Sequence, residues 1–399
     1  MGTRTPAPPV AGPRAPVMSR DLGVLSTSFL LIFMGAGAFQ QYLIRYLQEV
    51  TGRTPTECSW VLATVYLSFL VWRLFAAHTI RWLGDQRAIF LGQLTYTLFL
   101  VFAITAQSYW VLLAAASLWG WGASAMWIAS STQVLDASAR TRYGSASGVF
   151  YAATHLGQWV GVVLLGYLLA RHGWSALLWV AVGVSVAANA VALAVPRKYV
   201  ARERPRMSKV FGVLRTRLSK LLAAILFVSS FGFGLLLSGF STLLEPGALV
   251  WVTSGFYGGR LVSSWYSGWI SDQLGRRGVL VWGFGLAAAG MLVGLKTDNL
   301  WALFTAALAL GVQTGTVPVA AMAMIGDAVD SRQRHLAFGA IYVWRDLGVA
   351  VAILGAQYIV RFLGGYGICF ALFALLFAAC AVLASSLRGQ EVGASPQTA

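Results

Sequence analysis

Apolar residues along this chain fall in long unbroken runs separated by short polar gaps, with no stretch of the strict alternation that marks a half-buried strand. At 1.5 Å of rise per residue, an apolar helix of about 20 residues crosses a hydrocarbon core about 30 Å thick. Twelve such runs are read near 22–47, 58–80, 88–106, 109–135, 145–170, 174–195, 221–243, 248–271, 278–296, 300–326, 336–361 and 364–387. They predict an all-α membrane protein of twelve transmembrane helices. Only one polar interruption is long, Pro196 to Lys220, and it divides six runs from six. The expected organisation is a cytoplasmic tail at 1–21, a six-helix bundle at 22–196, a basic linker at 197–220, a second six-helix bundle at 221–388 and a tail at 389–399. Within the linker, Val210 to Leu218 has the pattern of a short amphipathic helix lying on the membrane surface. The other gaps are short, so consecutive helices are antiparallel neighbours.

The two halves repeat each other. Gly148-Val149-Phe150-Tyr151 through His155-Leu156-Gly157 matches Gly339-Ala340-Ile341-Tyr342 through Asp346-Leu347-Gly348 at an offset of 191. The same offset sets Asp136 on Asp327, Gly120 on Gly311, and Ala77, Arg81 and Gly84 on Gly268, Asp272 and Gly275. A duplicated apolar chain forms two pseudo-symmetric bundles with a ligand site where they meet. The recurring glycines in the fifth and eleventh runs provide the close helix contacts that membrane packing relies on.

Composition agrees: 58% of residues are hydrophobic and 11% charged, too few polar groups to cover a water-soluble surface. The net charge of +16 would suggest nucleic acid in a soluble protein, but its placement gives another explanation. With the N-terminus inside, the outer gaps hold only Arg53, Arg171, Lys296 and Arg361, and apart from Arg45, Arg73, Arg260 and Arg345 within the runs, the inner segments hold the rest. This asymmetry predicts that both termini and the linker are cytoplasmic, in an inner or plasma membrane. The basic linker then meets anionic lipid rather than nucleic acid. Cys58, Cys369 and Cys380 lack metal-ligand spacing. No phosphate-binding glycine loop, Walker sequence or nucleophile-base set is present. No enzyme activity and no cofactor are expected, and any transport must draw on a gradient.

Gly268-Trp269-Ile270-Ser271-Asp272-Gln273-Leu274-Gly275-Arg276-Arg277, at the inner end of the eighth run, reads G-x-x-x-D-x-x-G-R-R. Gly268 permits close helix contact, Asp272 suits a helix N-terminus, and the arginines suit the inner membrane boundary. The segment resembles the loop motif of the major facilitator superfamily, and with the 6+6 layout the resemblance covers residues 22 to 387. It implies two bundles rocking in alternating access, with helices one, four, seven and ten lining the cavity. Helices two and eleven, and five and eight, then meet at the seams. Three departures stand out: the first-half motif is eroded to Ala77, Arg81, Gly84, Asp85, Gln86 and Arg87, Ala116 occupies the position of a common proton-linked arginine, and Val162 replaces a proline of the antiporter motif. The family's acidic group at the Arg81 position latches the inner gate through the N-terminus of helix eleven. A basic residue there predicts a weaker latch and an inward-open bias, unless Asp327 or Asp330 neutralises it. Gly268, Asp272, Arg276, Arg81, Asp136 and Asp327 are accordingly the gating candidates.

Charges inside a bilayer cost several kcal/mol and are functional candidates by default. Here these are Arg73, His155, Arg260, Arg345 and Asp346. On the family layout Arg73 meets Asp346, which leaves Arg260 or Arg345 for an anion, and His155 faces Arg260 across the other seam. Substrate-binding candidates are Arg260, Arg73, Gln40, Gln41, Gln313 and Trp127. Coupling and gating candidates are Asp346, Arg345 and His155, with protons as a candidate coupling ion because a histidine or a buried carboxyl can titrate near neutrality. The leading expectation is a monomeric secondary transporter, by symport or antiport, of a small anionic solute. The aromatic content supports a second reading, an efflux carrier for lipophilic compounds. The eroded motif supports a third, a non-transporting assembly factor or sensor on the same scaffold.

Overall fold

A computed structural model describes residues 19–105, 108–197 and 204–387. Residues 1–18 of the expected 1–21 tail, the whole expected 389–399 tail and the linker residues 198–203 lie outside the described residues, whereas Arg20 and Asp21 of the expected tail already belong to the first helix. All regular structure among the described residues is helical. Among the described residues, ten segments are long and apolar enough to cross a membrane. One of them, Arg140–Leu193, has 54 residues and breaks at Gly173, whose φ of 75° is left-handed. A further 29-residue helix, Pro246–Leu274, packs among them. Counting the break as a turn gives twelve long helices among the described residues, here α1 (Arg20–Thr51), α2 (Pro55–Leu83), α3 (Asp85–Thr105), α4 (Tyr109–Asp136), α5 (143–172) and α6 (174–193) of the first half. The second half contains α7 (Arg217–Leu243), α8 (Pro246–Leu274), α9 (Arg276–Val293), α10 (Leu300–Ala328), α11 (Arg334–Leu363) and α12 (Tyr366–Ser385).

Local chemistry sets the helix ends. Thr54 and Glu57 form a reciprocal capping box with Pro55 in the first turn of α2, and Asn299 caps α10 through the Trp301 and Ala302 amides. The duplication shows in the backbone: Gly84 and Gly275 stop α2 and α8 at matching φ values of 78° and 90°, a region that favours glycine. The first helix of each half carries a π-helical turn, Phe33–Gly37 in α1 and Leu236–Phe240 in α7. Trp82, Trp110, Trp282 and Trp301 are exposed, and three of them lie near helix ends, as expected of interfacial anchors.

The bundles meet along two seams. At one, α5 and α8 approach so closely that a Cβ on Gly268 would lie 2.5 Å from the carbonyl oxygen of Gly144. At the other, α2 packs on α11, and a linker helix, Met207–Val213, covers one end of the contact. Val210 is buried there against Ala77 of α2 and Leu336 and Ala340 of α11. The linker segment thus packs on protein along its buried side. Both seams end at the face carrying the linker, called the basic face below.

Candidate functional site at the bundle interface

Midway along the α2–α11 seam, Arg73 donates through Nε and Nη2 to the two carboxylate oxygens of Asp346, in the bidentate geometry that suits a guanidinium. Each side chain is 2% exposed. The Arg73 guanidinium also lies 4.9 Å from the Phe69 ring. Two ions buried together neutralise each other and leave neither free for a third partner. Arg73, expected among the substrate ligands, is therefore committed in this state to Asp346.

Arg260 of α8 and Arg345 of α11 lack such compensation. They line one cavity of about 10 Å³, room for about one water-sized group. Arg260 is 4% exposed. Its Nη1 donates to Oε1 of Gln158 at 3.0 Å, its Nε has no partner, and its guanidinium lies 4.8 Å from the Phe233 ring and 5.8 Å from Phe256. Arg345 is half-buried, with its guanidinium 6.0 Å from the Trp127 ring. Neither arginine forms an ion pair among the described residues. Gln158 and the aromatic faces satisfy hydrogen-bonding geometry and part of the electrostatics, but they supply no negative charge.

The remaining expected residues take different places. His155 is buried, and its Nδ1 lies 2.8 Å from Ser264 Oγ. That hydroxyl donates to the Arg260 or Gly315 carbonyl, which assigns the proton to Nδ1 and leaves Nε2 as an unpartnered acceptor. His155 thus faces α8 one turn from Arg260. Trp127 is the centre of an aromatic cluster with Phe29, Phe33, Phe150 and Tyr151, and its indole nitrogen reaches Tyr96. Gln40 accepts from the Tyr66 hydroxyl inside the first bundle. Gln41 donates at 3.3 Å to the Leu236 carbonyl in the π-helical turn of α7, so it joins the bundles on the side away from the linker. Gln313 backs onto α9, its Cα 3.8 Å from where a Cβ on Gly283 would sit, and both its amide atoms are buried without a partner. It is not among the residues around the arginine cavity; its neighbour Thr314 is.

The basic face is held shut, contrary to the inward-open bias expected from Arg81. Asp272 accepts from the Gly144 and Ser145 amides at 3.0 and 2.7 Å and from the Ser145 hydroxyl at 2.7 Å, placing a carboxylate at the start of α5 where the helix dipole favours it. Arg276 bridges Asp272 and Asp327, and Arg140 donates to the Asp327 carbonyl. On the first-half side, Arg334 at the start of α11 pairs with Asp136 at 3.1 Å and donates to the Tyr143 hydroxyl. Arg81 itself is exposed. Asp136 and the Val210 wedge join the bundles where an acid at position 81 would have done so. Gln158, Arg334 and Val210 had no distinguishing signal in the sequence: a polar or apolar residue among its kind does not announce its cross-bundle partner.

The fold defines a membrane transport protein of two six-helix bundles around a charged central contact. The family model for the Major Facilitator Superfamily matches residues 25–249 and 222–399, and the chain belongs to that superfamily. A stretch of 140 residues is 33% identical to UNC93-like protein 3 of Arabidopsis thaliana, covering 33% of this chain and 28% of that protein. Among solved structures, the human organic anion transporter MFSD10 (TETRAN) aligns over 92% of this chain and 100% of its own, with a TM-score of 0.72 at 16% identity. The transporter FucP in the outward conformation aligns over 92% and 99%, with a TM-score of 0.70 at 13% identity.

Proposed function

We infer that the protein is a secondary transporter that moves a small anionic solute by alternating access, with Arg260 as the residue that holds the anion. The observation that carries this reading is an arginine 4% exposed at the bundle interface that, among the described residues, has one guanidinium nitrogen unpartnered and no carboxylate in an ion pair with it. An uncompensated ion in such a place costs several kcal/mol, and an anionic solute supplies what the protein withholds. The aromatic walls at Phe233 and Trp127 allow the solute an apolar portion. A structural neighbour, the human organic anion transporter, is named for the same class of solute. Asp346, tied to Arg73 across the α2–α11 seam, acts as the gate: the pair opens as the bundles part, and the released carboxylate is the candidate proton acceptor. Both termini and the linker lie in the cytoplasm on this reading, with the basic face inward.

The test is uptake of small organic anions into proteoliposomes. Arg260→Gln is expected to abolish uptake while the purified protein stays folded and monodisperse. Wild-type uptake by that variant removes Arg260 from the site. The efflux reading makes the opposite demand, retained transport of lipophilic neutral compounds in the same variant.

A further inference from the structure

We propose that the central site is built for a divalent anion, with Arg345 as the second anchor opposite Arg260; the proposal rests on the anion reading above. The two arginines line one small cavity, and each reaches it from the second bundle, on α8 and α11. The carboxylate nearest in sequence to Arg345, Asp346, is already neutralised by Arg73. The other acidic groups that hold arginines across or near the seams, Asp136, Asp272 and Asp327, do so at the basic face. Two positive charges therefore remain at the centre against no negative one among the described residues that line the cavity.

The neutral groups around the cavity do not compete for this role. The hydroxyls of Ser229, Ser230 and Thr314 donate to carbonyls of their own helices. Phe233, Pro318 and Val349 complete an apolar lining. Recognition of charge is left to the two guanidinium groups, whose planar forks each match a carboxylate or a phosphoryl oxygen pair. A monovalent solute would leave one cation uncompensated when the bundles close over it. A solute with two negative charges would leave none. Short dicarboxylates and phosphate monoesters share that chemistry.

The experiment measures thermal unfolding of the purified full-length protein at constant ionic strength and mildly alkaline pH, using two matched pairs of probes: butyrate against succinate, and dimethyl phosphate against methyl phosphate. Ligands that bind only the folded state raise Tm. The divalent member of at least one pair is expected to bind about tenfold or more tightly than its monovalent partner, a difference of about 1.4 kcal/mol. The pair that responds identifies the headgroup. Arg345→Gln is expected to bring the two members of that pair to equal affinity, and Arg345→Lys, which keeps the charge and folds by the same packing, to retain part of the preference. Equal stabilisation of wild type by both members, no stabilisation by either dianion, or an undiminished preference in Arg345→Gln overturns the proposal. If butyrate binds as well as succinate and Arg260→Gln abolishes both, the anion reading stands and only the divalent site fails.

Discussion

At the scale of single residues, three arginines in the central region carry the same charge and have different fates. Arg73 is neutralised by Asp346, with both side chains 2% exposed, whereas Arg260 and Arg345 meet glutamine and aromatic faces. Removing one partner of a buried pair leaves the other as an unpaired ion, at a cost of about 3–5 kcal/mol, while replacing both by neutral isosteres is close to neutral. Arg73→Gln and Asp346→Asn are each expected to lower the thermal stability of the protein strongly, and the double variant to recover most of the loss. Additive losses in the double variant would show that the two side chains do not depend on each other. The cycle also separates stability from transport. On the proposed gating role of Asp346, the double variant, though folded, is expected to transport at a rate that does not depend on pH.

At the scale of elements, the two seams close by different means. On the α5–α8 side, small residues and the Asp272 carboxylate at a helix start do the work. On the α2–α11 side, Ala77 stands where Gly268 stands in the repeat, Arg81 is exposed, and closure falls to the Arg334–Asp136 pair and to Val210 of the linker helix. A carboxylate at position 210 would be buried against Ala77, Leu336 and Ala340 without a partner, which costs enough to displace the helix. Val210→Asp is therefore expected to open the basic face. The measurement is the labelling rate of a cysteine introduced at Thr314, in a background lacking Cys58, Cys369 and Cys380. A rise of about tenfold corresponds to a shift of about 1.4 kcal/mol between closed and open forms. Arg81→Asp is expected to leave that rate unchanged, because Arg81 is exposed and forms no ion pair among the described residues in the closed face. A large effect of Arg81→Asp, with none from Val210→Asp, would return closure to the eroded motif.

For the molecule as a whole, the asymmetry of charge is what supports the proposed orientation. Lys and Arg near helix ends are retained on the cytoplasmic side during insertion, and the linker, with Arg204, Arg206, Lys209, Arg215 and Arg217 in its described part, is on the same face as the Asp272 and Arg334 latches. A single cysteine near Arg204 is expected to be protected from an impermeant reagent in intact cells and to react once the membrane is opened. Labelling in intact cells would invert the topology and, with it, the side from which the arginine cavity is loaded.

The linear pattern of this chain determines the helical passes, the division into halves and the basic face, because hydropathy and charge act locally and add along a segment. It also carries the repeat, visible in Gly84 and Gly275 as paired turns of like φ. Arg73 and Asp346 are placed mid-span by the sequence and on adjoining helices by the family resemblance, although 273 positions separate them. The phase of each helix about its own axis is a different matter, since a rotation of one residue moves a side chain by about 100°. For that reason Gln313 backs onto α9 while Thr314 lines the cavity, Gln40 turns to Tyr66 while Gln41 crosses to α7, and Gln158 rather than His155 is the side chain that bonds the Arg260 guanidinium. The loss of one acid at position 81 does not decide closure of the basic face, because a latch is a property of every group that meets there. Asp136, Arg334 and Val210 come together only through the packing of α4 and the linker helix, together with α2, on α11, and that packing is decided by the tertiary structure alone.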